Sequence, residues 1–245
     1  MNENRHSKSA PTLALRRLAV KALGFSGADI ERLVREARSR VRREGRALAF
    51  TDLEAMLDGT RPKVSVALRQ RTAVHEAGHA VVRHALGIGR ITCITIAAKG
   101  SMGGYVEGEE DVVHVETEDR LMARLAIMLG GRAAERVMFG TASAGAGGSN
   151  DSDLAQATRL AIAMETALGF GGRLPLLHQR IDADMLLSGL AAGTAKRVHR
   201  RMRRAERRAM KLIGRHRQAV IDLTAQLLEA ETLQGDELRA LLTQR

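Results

Sequence analysis

The sequence predicts a predominantly α-helical (α+β) protein that carries a small sheet of short strands. Its 245 residues include only four Phe, one Tyr and no Trp, so the interior must be built mainly from Ala, Leu, Val, Ile and Met. These residue types favour helices over sheets. Hydrophobic residues make up 44% of the chain and charged residues 27%, a balance that is typical of globular proteins and excludes a wholly disordered or fibrous chain.

A break in the helical periodicity divides the chain into two regions. Residues 12–58 follow a helical pattern in which Ser26 is a candidate N-cap. The stretch Gly59-Thr60-Arg61-Pro62 interrupts this pattern. We therefore expect a small helical domain over residues 1–61 and a larger domain over residues 62–245.

The second region combines helices with three short predicted strands. The strands are expected at residues 91–96, 103–106 and 112–115, where β-branched residues alternate or cluster. Helices are expected over about residues 68–86, 117–139, 153–169 and 186–229, and from about residue 235.

Two adjacent glycines, Gly130 and Gly131, lie inside the helix predicted over residues 117–139. Each glycine within a helix costs about 1 kcal/mol relative to Ala. The pair therefore predicts a close approach of another backbone at this point.

The strongest signal is the histidine pair in His75-Glu76-Ala77-Gly78-His79. Residues four apart on a helix differ by only about 40° around its axis, so both imidazoles project from one face and can hold one ion. Zinc accepts such nitrogens and leaves a coordination position for water. Glu76 lies near the same face and is the candidate general base that takes a proton from this water. The motif therefore predicts hydrolysis of peptide bonds.

Two histidines on a helix are often only core or surface residues, and the surroundings decide between the two interpretations. The helix is apolar almost all round because of Val74, Ala77, Ala80, Val81 and Val82. Two imidazoles and a carboxylate buried there would be unfavourable without a common partner. We therefore prefer the metal site.

A tetrahedral zinc site of this kind needs a third protein ligand, and spacing alone leaves three candidates. Glu135 lies three residues from Arg132, where a surface ion pair is equally consistent. Asp151 and Asp153 flank Ser152 at a helix start, where carboxylates also act as caps or favour the positive end of the helix dipole.

Four separated segments agree in order and spacing with one known family. They are LRQRTAVHEAGHAVV, IMLGGRAAERVMFG, SNDSDLAQAT followed by LGFGGRLPLL, and LLEAETLQGDELRALL. Together they resemble the peptidase domain of the membrane-anchored AAA-type zinc proteases, the FtsH family, over about residues 66–245. The resemblance implies that His75, His79 and a third ligand bind Zn²⁺ and that Glu76 is catalytic.

The same resemblance selects the third ligand. In the family it is the Asp four residues before an Ala-Thr pair at a helix start. Here that pair is Ala157-Thr158, so the position falls on Asp153, and Glu135 and Asp151 take structural roles.

Residues 103–107 resemble the edge strand of the family, to which an extended substrate adds through main-chain hydrogen bonds. The resemblance thus implies that Gly103, Gly104, Tyr105 and Val106 bind a polypeptide substrate. Family analogy also implies a homo-oligomer, a ring of six chains.

The front of the chain resembles the same family. GFSGADIERLVREA and REGRALAFTDLEAML are similar to the end of the helical lid of an AAA ATPase. The chain contains no Gly-rich loop ending in Gly-Lys-Ser/Thr, which would hold nucleotide phosphates. We therefore expect a peptidase without its own ATPase, assisted by a separate AAA ATPase or by a full-length FtsH relative.

Cysteine content and hydropathy bear on the compartment. The single cysteine, Cys93, excludes an intrachain disulfide framework and a thiolate zinc cluster, and fits a reducing compartment. No apolar run approaches the roughly 18 residues that cross a bilayer, and the polar start lacks a secretory signal. We expect a cytoplasmic protein, or one that reaches the membrane periphery through a partner.

The formal net charge of +11 is concentrated in one predicted helix. Residues 196–217 contain eleven Lys and Arg and a single acid, Glu206. Apolar residues recur there at steps of three and four, so one face is expected to pack and the cations to lie on solvated faces. The alternative is a surface for the phosphates of nucleic acid or of anionic lipid. The scarcity of aromatic residues disfavours single-stranded nucleic acid.

Two functions from different classes follow. The first is a zinc-dependent endopeptidase that hydrolyses unfolded or loosely folded polypeptides. The second is a non-enzymatic adaptor or relic of the family that binds protein partners or nucleic acid through its basic C-terminal helix. The intact set of His75, Glu76, His79 and Asp153 favours the first, whereas the lack of an ATPase core favours the second.

Overall fold

The computed structural model describes residues 14–15, 18–19, 21–22, 25–59, 64–97, 104–109, 114–172, 175–178 and 192–243. They fall in two compact units, Met1–Ser65 with Ala97–Gly103 and Val66–Ile96 with Gly104–Arg245. The described chain is mostly helical with one small sheet, which confirms the predicted fold class. None of its helices combines the length and hydropathy needed to cross a bilayer. The predicted domain boundary falls mainly on residues 60–62, outside the described ranges, and stays a prediction.

The first unit contains helices α1 (Gly27–Arg43) and α2 (Phe50–Gly59). Ser26 caps α1 as predicted: its hydroxyl accepts the amide of Asp29, and the Asp29 carboxylate accepts the amide of Ser26. The buried residues of α1 follow one another at four-residue steps and are Leu33, Ala37 and Val41.

The second unit holds the remaining elements. They are α3 (Val66–Ala85), β1 (Arg90–Thr95), β2 (Tyr105–Glu109), α4 (Glu118–Met128), α5 (Gly130–Phe139), α6 (Asp153–Thr166), α7 (Ala192–Arg215), α8 (Arg217–Ala230), β3 (Thr232–Gln234) and α9 (Gly235–Thr243). Helix α3 is central and packs against α5 and α8. Ten consecutive residues of α3, 73–82, are buried. The all-round apolar pattern of this helix therefore reflects burial on every side.

The prediction of a single helix over residues 117–139 is wrong. The chain forms two helices, α4 and α5, which meet at Leu129, where φ is −94° and ψ is 3°. The break has a tertiary cause, because it lets Gly130 lie directly on α3. A Cβ added to Gly78 would come within 2.6 Å of the Gly130 carbonyl oxygen and 2.5 Å of Ala134 Cβ. The close backbone approach predicted from the paired glycines is thus confirmed.

The sheet has the order β2-β1-β3 and both pairings are antiparallel. Ile94 of β1 faces Val106 of β2 on one side and Leu233 of β3 on the other. The third strand predicted at residues 112–115 is wrong for the two residues described there, His114 and Val115, which lie outside any strand. They lead instead into Thr117, the N-cap of α4. Residues 112 and 113 lie outside the description.

The helices predicted over residues 186–229 are found as α7 and α8, which meet at His216. Residues 186–191 lie outside the description. The final helix, predicted from about residue 235, is confirmed as α9.

A buried carboxylate connects α6 to α7. Glu165 accepts hydrogen bonds from Nε of Arg197 at 2.7 Å and from Nε of Arg201 at 2.5 Å. Its side chain is 3% exposed. Burial alone would raise the pKa of Glu165, but these two guanidinium groups lower it below its usual value. The carboxylate therefore stays ionised and holds the two helices together.

The Glu165→Gln variant should lose about 3 kcal/mol of unfolding free energy, because it leaves two guanidinium groups facing a neutral partner. The difference from wild type should be full above about pH 5 and shrink as the pH falls through the lowered pKa of Glu165. Urea unfolding at pH 7 and at pH 3.5 measures both effects. Glu229→Gln, at an exposed position of α8, is the control and should leave stability within about 0.5 kcal/mol of wild type. Equal stability of the two variants would contradict the conclusion that the ionised Glu165 holds α6 to α7.

Candidate metal centre

Two helices bring three potential ligands together. His75 and His79 lie one turn apart on the central helix α3, and Asp153 is the first residue of α6, whose N-cap is Ser152. One ligand atom from each of His75, His79 and Asp153 lies within 4.8 Å of the other two. The group therefore forms where the middle of one buried helix meets the start of another.

The atoms converge on one side of the two imidazoles. Oδ2 of Asp153 lies 2.9 Å from Nε2 of His75 and 3.2 Å from Nε2 of His79. The ring centroids are 4.9 Å apart and the ring planes are inclined by 65°. The histidines are 8% and 9% exposed, whereas the Asp153 side chain is 26% exposed. The centre is thus sheltered by α3 and open toward the start of α6.

Each imidazole is held by its other nitrogen. Nδ1 of His79 donates to the carbonyl oxygen of Ile127 at 2.8 Å, and Nδ1 of His75 donates to Oε1 of Glu135 at 2.8 Å. These bonds leave both Nε2 atoms directed at the common point beside Asp153. Partners of this kind fix the tautomer and orientation of metal-binding histidines.

Glu135 is fixed in turn by three donors besides His75. Arg71 Nη1 donates to its carboxylate at 2.8 Å, the Ser143 amide at 2.7 Å and the Ser143 hydroxyl at 3.1 Å. Burial would raise the pKa of Glu135, but the bonds from His75, Arg71 and Ser143 lower it to about 2. Glu135 is therefore an ionised carboxylate behind His75, and it lies outside the group of three ligand atoms.

The other two candidates for the third ligand, Asp153 and Asp151, lie in different surroundings. Asp153 lies in the group, whereas Asp151 is exposed and its backbone oxygen accepts a bond from Gln156. The ion pair considered between Glu135 and Arg132 is absent among the described contacts of these two residues. Arg132 instead binds Glu206 at 3.0 Å, because α5 directs it toward α7.

Space for the His75 ring depends on a glycine of α5. A Cβ added to Gly131 would lie 2.3 Å from Nε2 and Cδ2 of the His75 ring. No contact that close occurs in a real structure, so any larger residue at 131 must displace the imidazole. The glycine pair thus has two separate functions, since Gly130 admits the backbone of α3 and Gly131 admits the ring.

The short distances within the group shift the pKa values of His75, His79 and Asp153. Burial opposes protonation of His75, but hydrogen bonds to Asp153 and Glu135 outweigh this effect and raise its pKa to about 10. The pKa of His79 is likewise raised by Asp153 despite burial. Both imidazoles in turn hold the pKa of the partly buried Asp153 below its usual range. The two imidazoles and the Asp153 carboxylate therefore stabilise one another's charged forms.

Glu76 lies beside the group on α3 and is only 6% exposed. Its burial raises its pKa, and the neighbouring His79 and His75 oppose this effect. Within the described part of the chain, its carboxylate accepts no hydrogen bond. This carboxylate can therefore accept a proton from a small molecule that binds next to it.

The edge strand begins against this carboxylate. A Cβ added to Gly104 would come within 2.8 Å of Oε1 of Glu76 and 2.7 Å of the Thr95 carbonyl oxygen. Tyr105 and Val106 follow in β2, which pairs with β1 on one side and lies at the edge of the sheet. Gly103, also predicted to bind substrate, lies outside the described residues.

Sequence reasoning missed the groups that orient the two imidazoles. Arg71, Glu135 and Ser143 act on His75, and the Ile127 carbonyl acts on His79. One signal was available: Glu135 follows Ala133 and Ala134 in a small-residue helix that must be buried, and a buried carboxylate requires partners. The identity of these partners could not be read from spacing.

The profile of peptidase family M41 matches residues 63–241 of the chain. The chain belongs to peptidase family M41. One relative is the ATP-dependent zinc metalloprotease FtsH 2 of Symbiobacterium thermophilum, which is 33% identical over 95% of this chain and 42% of that protein. Another is the ATP-dependent zinc metalloprotease FtsH of Acidothermus cellulolyticus, which is 35% identical over 94% of this chain and 37% of that protein. The FtsH of Thermotoga maritima is 31% identical over 98% of this chain and 42% of that protein.

These matches confirm the resemblance to the FtsH family. The chain spans about two fifths of the length of these curated relatives. All three are named zinc metalloproteases, and the two imidazoles and one carboxylate found here are a donor set that suits zinc. The likeness of residues 1–61 to an AAA lid stays a prediction.

The Gly131→Ala variant should bind zinc at least tenfold more weakly than wild type, because the added methyl group occupies the position of the His75 ring. Competition with a zinc-chelating dye measures the affinity. The matched control is Gly214→Ala in α7, where a Cβ meets no atom within 4 Å, and which should bind zinc normally. Normal zinc affinity in a folded Gly131→Ala protein would exclude the described position of His75.

Zinc affinity should rise at least tenfold per pH unit between pH 6 and pH 8, because the ion must displace a proton from His75, whose pKa is about 10, and also displaces one from His79 wherever its raised pKa keeps that ring protonated. Asp153 adds no slope in this range, since its pKa is lowered and it is already ionised. The same dye competition at three pH values gives the slope. His84→Gln, an exposed histidine outside the group, should keep it. A flat profile in wild type would contradict the raised pKa of His75.

Proposed function

We propose that this chain is a zinc-dependent endopeptidase that hydrolyses peptide bonds of unfolded or loosely folded polypeptides. One observation carries the proposal. Nε2 of His75, Nε2 of His79 and Oδ2 of Asp153 converge on one point, and Glu76, whose carboxylate accepts no hydrogen bond from the described residues, lies beside that point. A purely structural histidine pair gives no reason for the second carboxylate to stay without a hydrogen-bond donor among the described residues.

His75, His79 and Asp153 would hold the ion, with Glu135 and the Ile127 carbonyl keeping the imidazoles in place. Zinc bound there supplies a Lewis acid and lowers the pKa of a water molecule toward about 7. Three protein ligands would leave a coordination position for that water, as catalytic zinc sites require.

In this proposal Glu76 moves the proton. Its Oε atom accepts a proton from the attacking water, and the protonated carboxyl then delivers it to the amide nitrogen of the leaving peptide. Burial raises the pKa of Glu76, which makes the carboxylate a stronger base than an exposed Glu. The same carboxyl can therefore act first as base and then as acid near neutral pH.

The free edge of β2 would position the substrate. An extended polypeptide can add to this edge as a further antiparallel or parallel strand, through the main-chain groups of Gly104, Tyr105 and Val106. Because Gly104 lies against Glu76, a peptide on this edge runs past the catalytic carboxylate. Main-chain recognition does not depend on side chains, so it suits a broad range of unfolded polypeptides.

The lack of a nucleotide-binding sequence among these 245 residues limits the substrates that we propose. The relatives are named ATP-dependent, whereas these 245 residues include no Gly-x-x-x-x-Gly-Lys-Ser/Thr sequence. We therefore propose that these residues cut substrates that are already unfolded without nucleotide. Folded substrates would require an AAA ATPase, and a ring of six chains is the assembly that the family suggests.

The Glu76→Gln variant should retain about one zinc ion per chain but lose at least 100-fold in casein hydrolysis, because it removes the base and no ligand. Metal analysis by mass spectrometry and release of labelled peptides from casein measure the two properties. Asp153→Asn should instead lose zinc and activity together. Glu36→Gln, at an exposed position of α1, is the control and should match wild type in both assays.

Two results would contradict the proposal. Unchanged casein hydrolysis by Glu76→Gln would exclude Glu76 as the base. A wild-type protein that binds zinc but cleaves no unfolded substrate would favour the non-enzymatic adaptor.

A further inference from the structure

Helix α7 presents one continuous row of cations, which we call the basic face. All of its members are exposed, and six of the eight are arginines: Lys196, Arg200, Arg203, Arg204, Arg207, Arg208, Lys211 and Arg215. This face accounts for most of the formal net charge of the chain, which is +11.

The positions of these cations follow from helix geometry. At 100° per residue the eight side chains fall within an arc of about 140°, and their positions extend for about 28 Å along the axis. The opposite side of α7 carries the buried residues Val198, Ala205, Ala209 and Ile213. The arc also includes Arg197 and Gly214 but no apolar side chain. The exposed surface of α7 is therefore charged along its full length.

The basic face is not neutralised within the described part of the chain. Three acids beside α7 bind other arginines: Glu206 binds Arg132 and Arg136, Glu165 binds Arg197 and Arg201, and Glu118 binds Arg201. A fourth, Asp119, lines a groove with four of the eight cations but forms no ion pair with them within the described residues. None of the eight cations takes part in an ion pair or side-chain hydrogen bond there. Eight neighbouring positive charges repel one another, so the arrangement lacks a stabilising role in the fold and is suited to an anionic partner.

Part of this face forms one wall of a groove. Arg204, Arg207, Arg208 and Lys211 line it from α7, and Asp119 and Met122 line it from α4. The basic face therefore projects beside a groove and is not flat.

We propose that the basic face binds double-stranded nucleic acid through its phosphate groups, without reading the base sequence. Arginine forks pair bidentately with phosphates, which agrees with the prevalence of Arg over Lys on this face. A helix about 10–12 Å in diameter fits a major groove about 12 Å wide. Cations spread over about 140° can then reach the phosphate rows on both sides of that groove.

Two features favour a duplex over other polyanions. A flat lipid surface would be reached fully only by the cations in the middle of the arc, and the face has no apolar side chain to insert between lipids. Single strands bind largely by stacking of bases on aromatic rings, and the basic face contains none. Binding should depend on charge alone and therefore on salt.

The test uses the full chain and a fluorescein-labelled 20-base-pair DNA duplex of random sequence, with fluorescence anisotropy as the readout. The test variant combines Arg203→Gln, Arg204→Gln, Arg207→Gln and Arg208→Gln. The matched control combines Arg35→Gln, Arg38→Gln, Arg42→Gln and Arg43→Gln, which removes the same charge from exposed positions of α1. Circular dichroism and casein hydrolysis verify that both variants keep fold and zinc centre.

We expect the α7 variant to bind the duplex at least tenfold more weakly than wild type at 50 mM salt, and the α1 variant to bind within twofold of wild type. The slope of log affinity against log salt concentration should become shallower by about 3 to 4 in the α7 variant, since each lost phosphate contact removes about 0.9.

Several outcomes would overturn the proposal. Equal loss in both variants would show an effect of net charge alone, and no loss in either would show that α7 is not the binding surface. Vesicles of phosphatidylcholine and phosphatidylserine (7:3) that bind wild type more tightly than the duplex does, with the same α7 dependence, would assign the face to membranes. Displacement of the duplex by polyglutamate at equal charge concentration would assign it to acidic proteins.

Discussion

The direct contact between Gly78 of α3 and Gly130 of α5 determines the geometry of the whole centre. Because neither residue has a side chain, the two backbones approach more closely than larger residues would permit. This approach places Gly131 over the ring of His75 and brings Glu135, one turn later on α5, behind the same ring. The last turn of α4 ends at this contact and supplies the carbonyl that holds His79. The positions of the candidate ligands therefore depend on a backbone contact in which none of them takes part.

Three carboxylates surround the histidine pair, and their different surroundings give them different properties. Glu135 receives four hydrogen bonds and is fully buried, so it is a permanent anion that anchors His75. Asp153 is held by the two imidazoles and is partly open to solvent, which leaves it able to share an ion with them. Glu76 is buried without a hydrogen bond among the described residues, so its proton affinity is increased. Similar side chains thus become an anchor, a ligand candidate and a base candidate.

Much of the fold and of the candidate centre could be predicted from the sequence, and what escaped prediction has a common cause. The helix that carries His75 and His79 has a strong local pattern, and so does the N-cap of α1 at Ser26. The selection of Asp153 over Glu135 and Asp151 needed the family resemblance, because spacing alone did not distinguish them. The break at Leu129 lies between a run of good helix formers and Gly130-Gly131, and this pair fits a close helix contact as well as a helix end, so only the tertiary contact with α3 reveals it. Strand β3 has three residues, too few for an alternating pattern, and its partner is far away in sequence.

The pairing of β1 with the distant β3 affects the order in which the sheet folds. Ile94 pairs with Leu233, and the carbonyl of Glu231 accepts the amide of Ile96, so the middle strand acquires its second neighbour only after α4 to α8 have been synthesised. Contacts between residues so far apart in sequence form late and slowly during folding. The edge that faces Glu76 thus lacks its full support while the ribosome is still translating the helices. The order of synthesis therefore delays completion of the sheet, and with it the full support of β2, until β3 has been made.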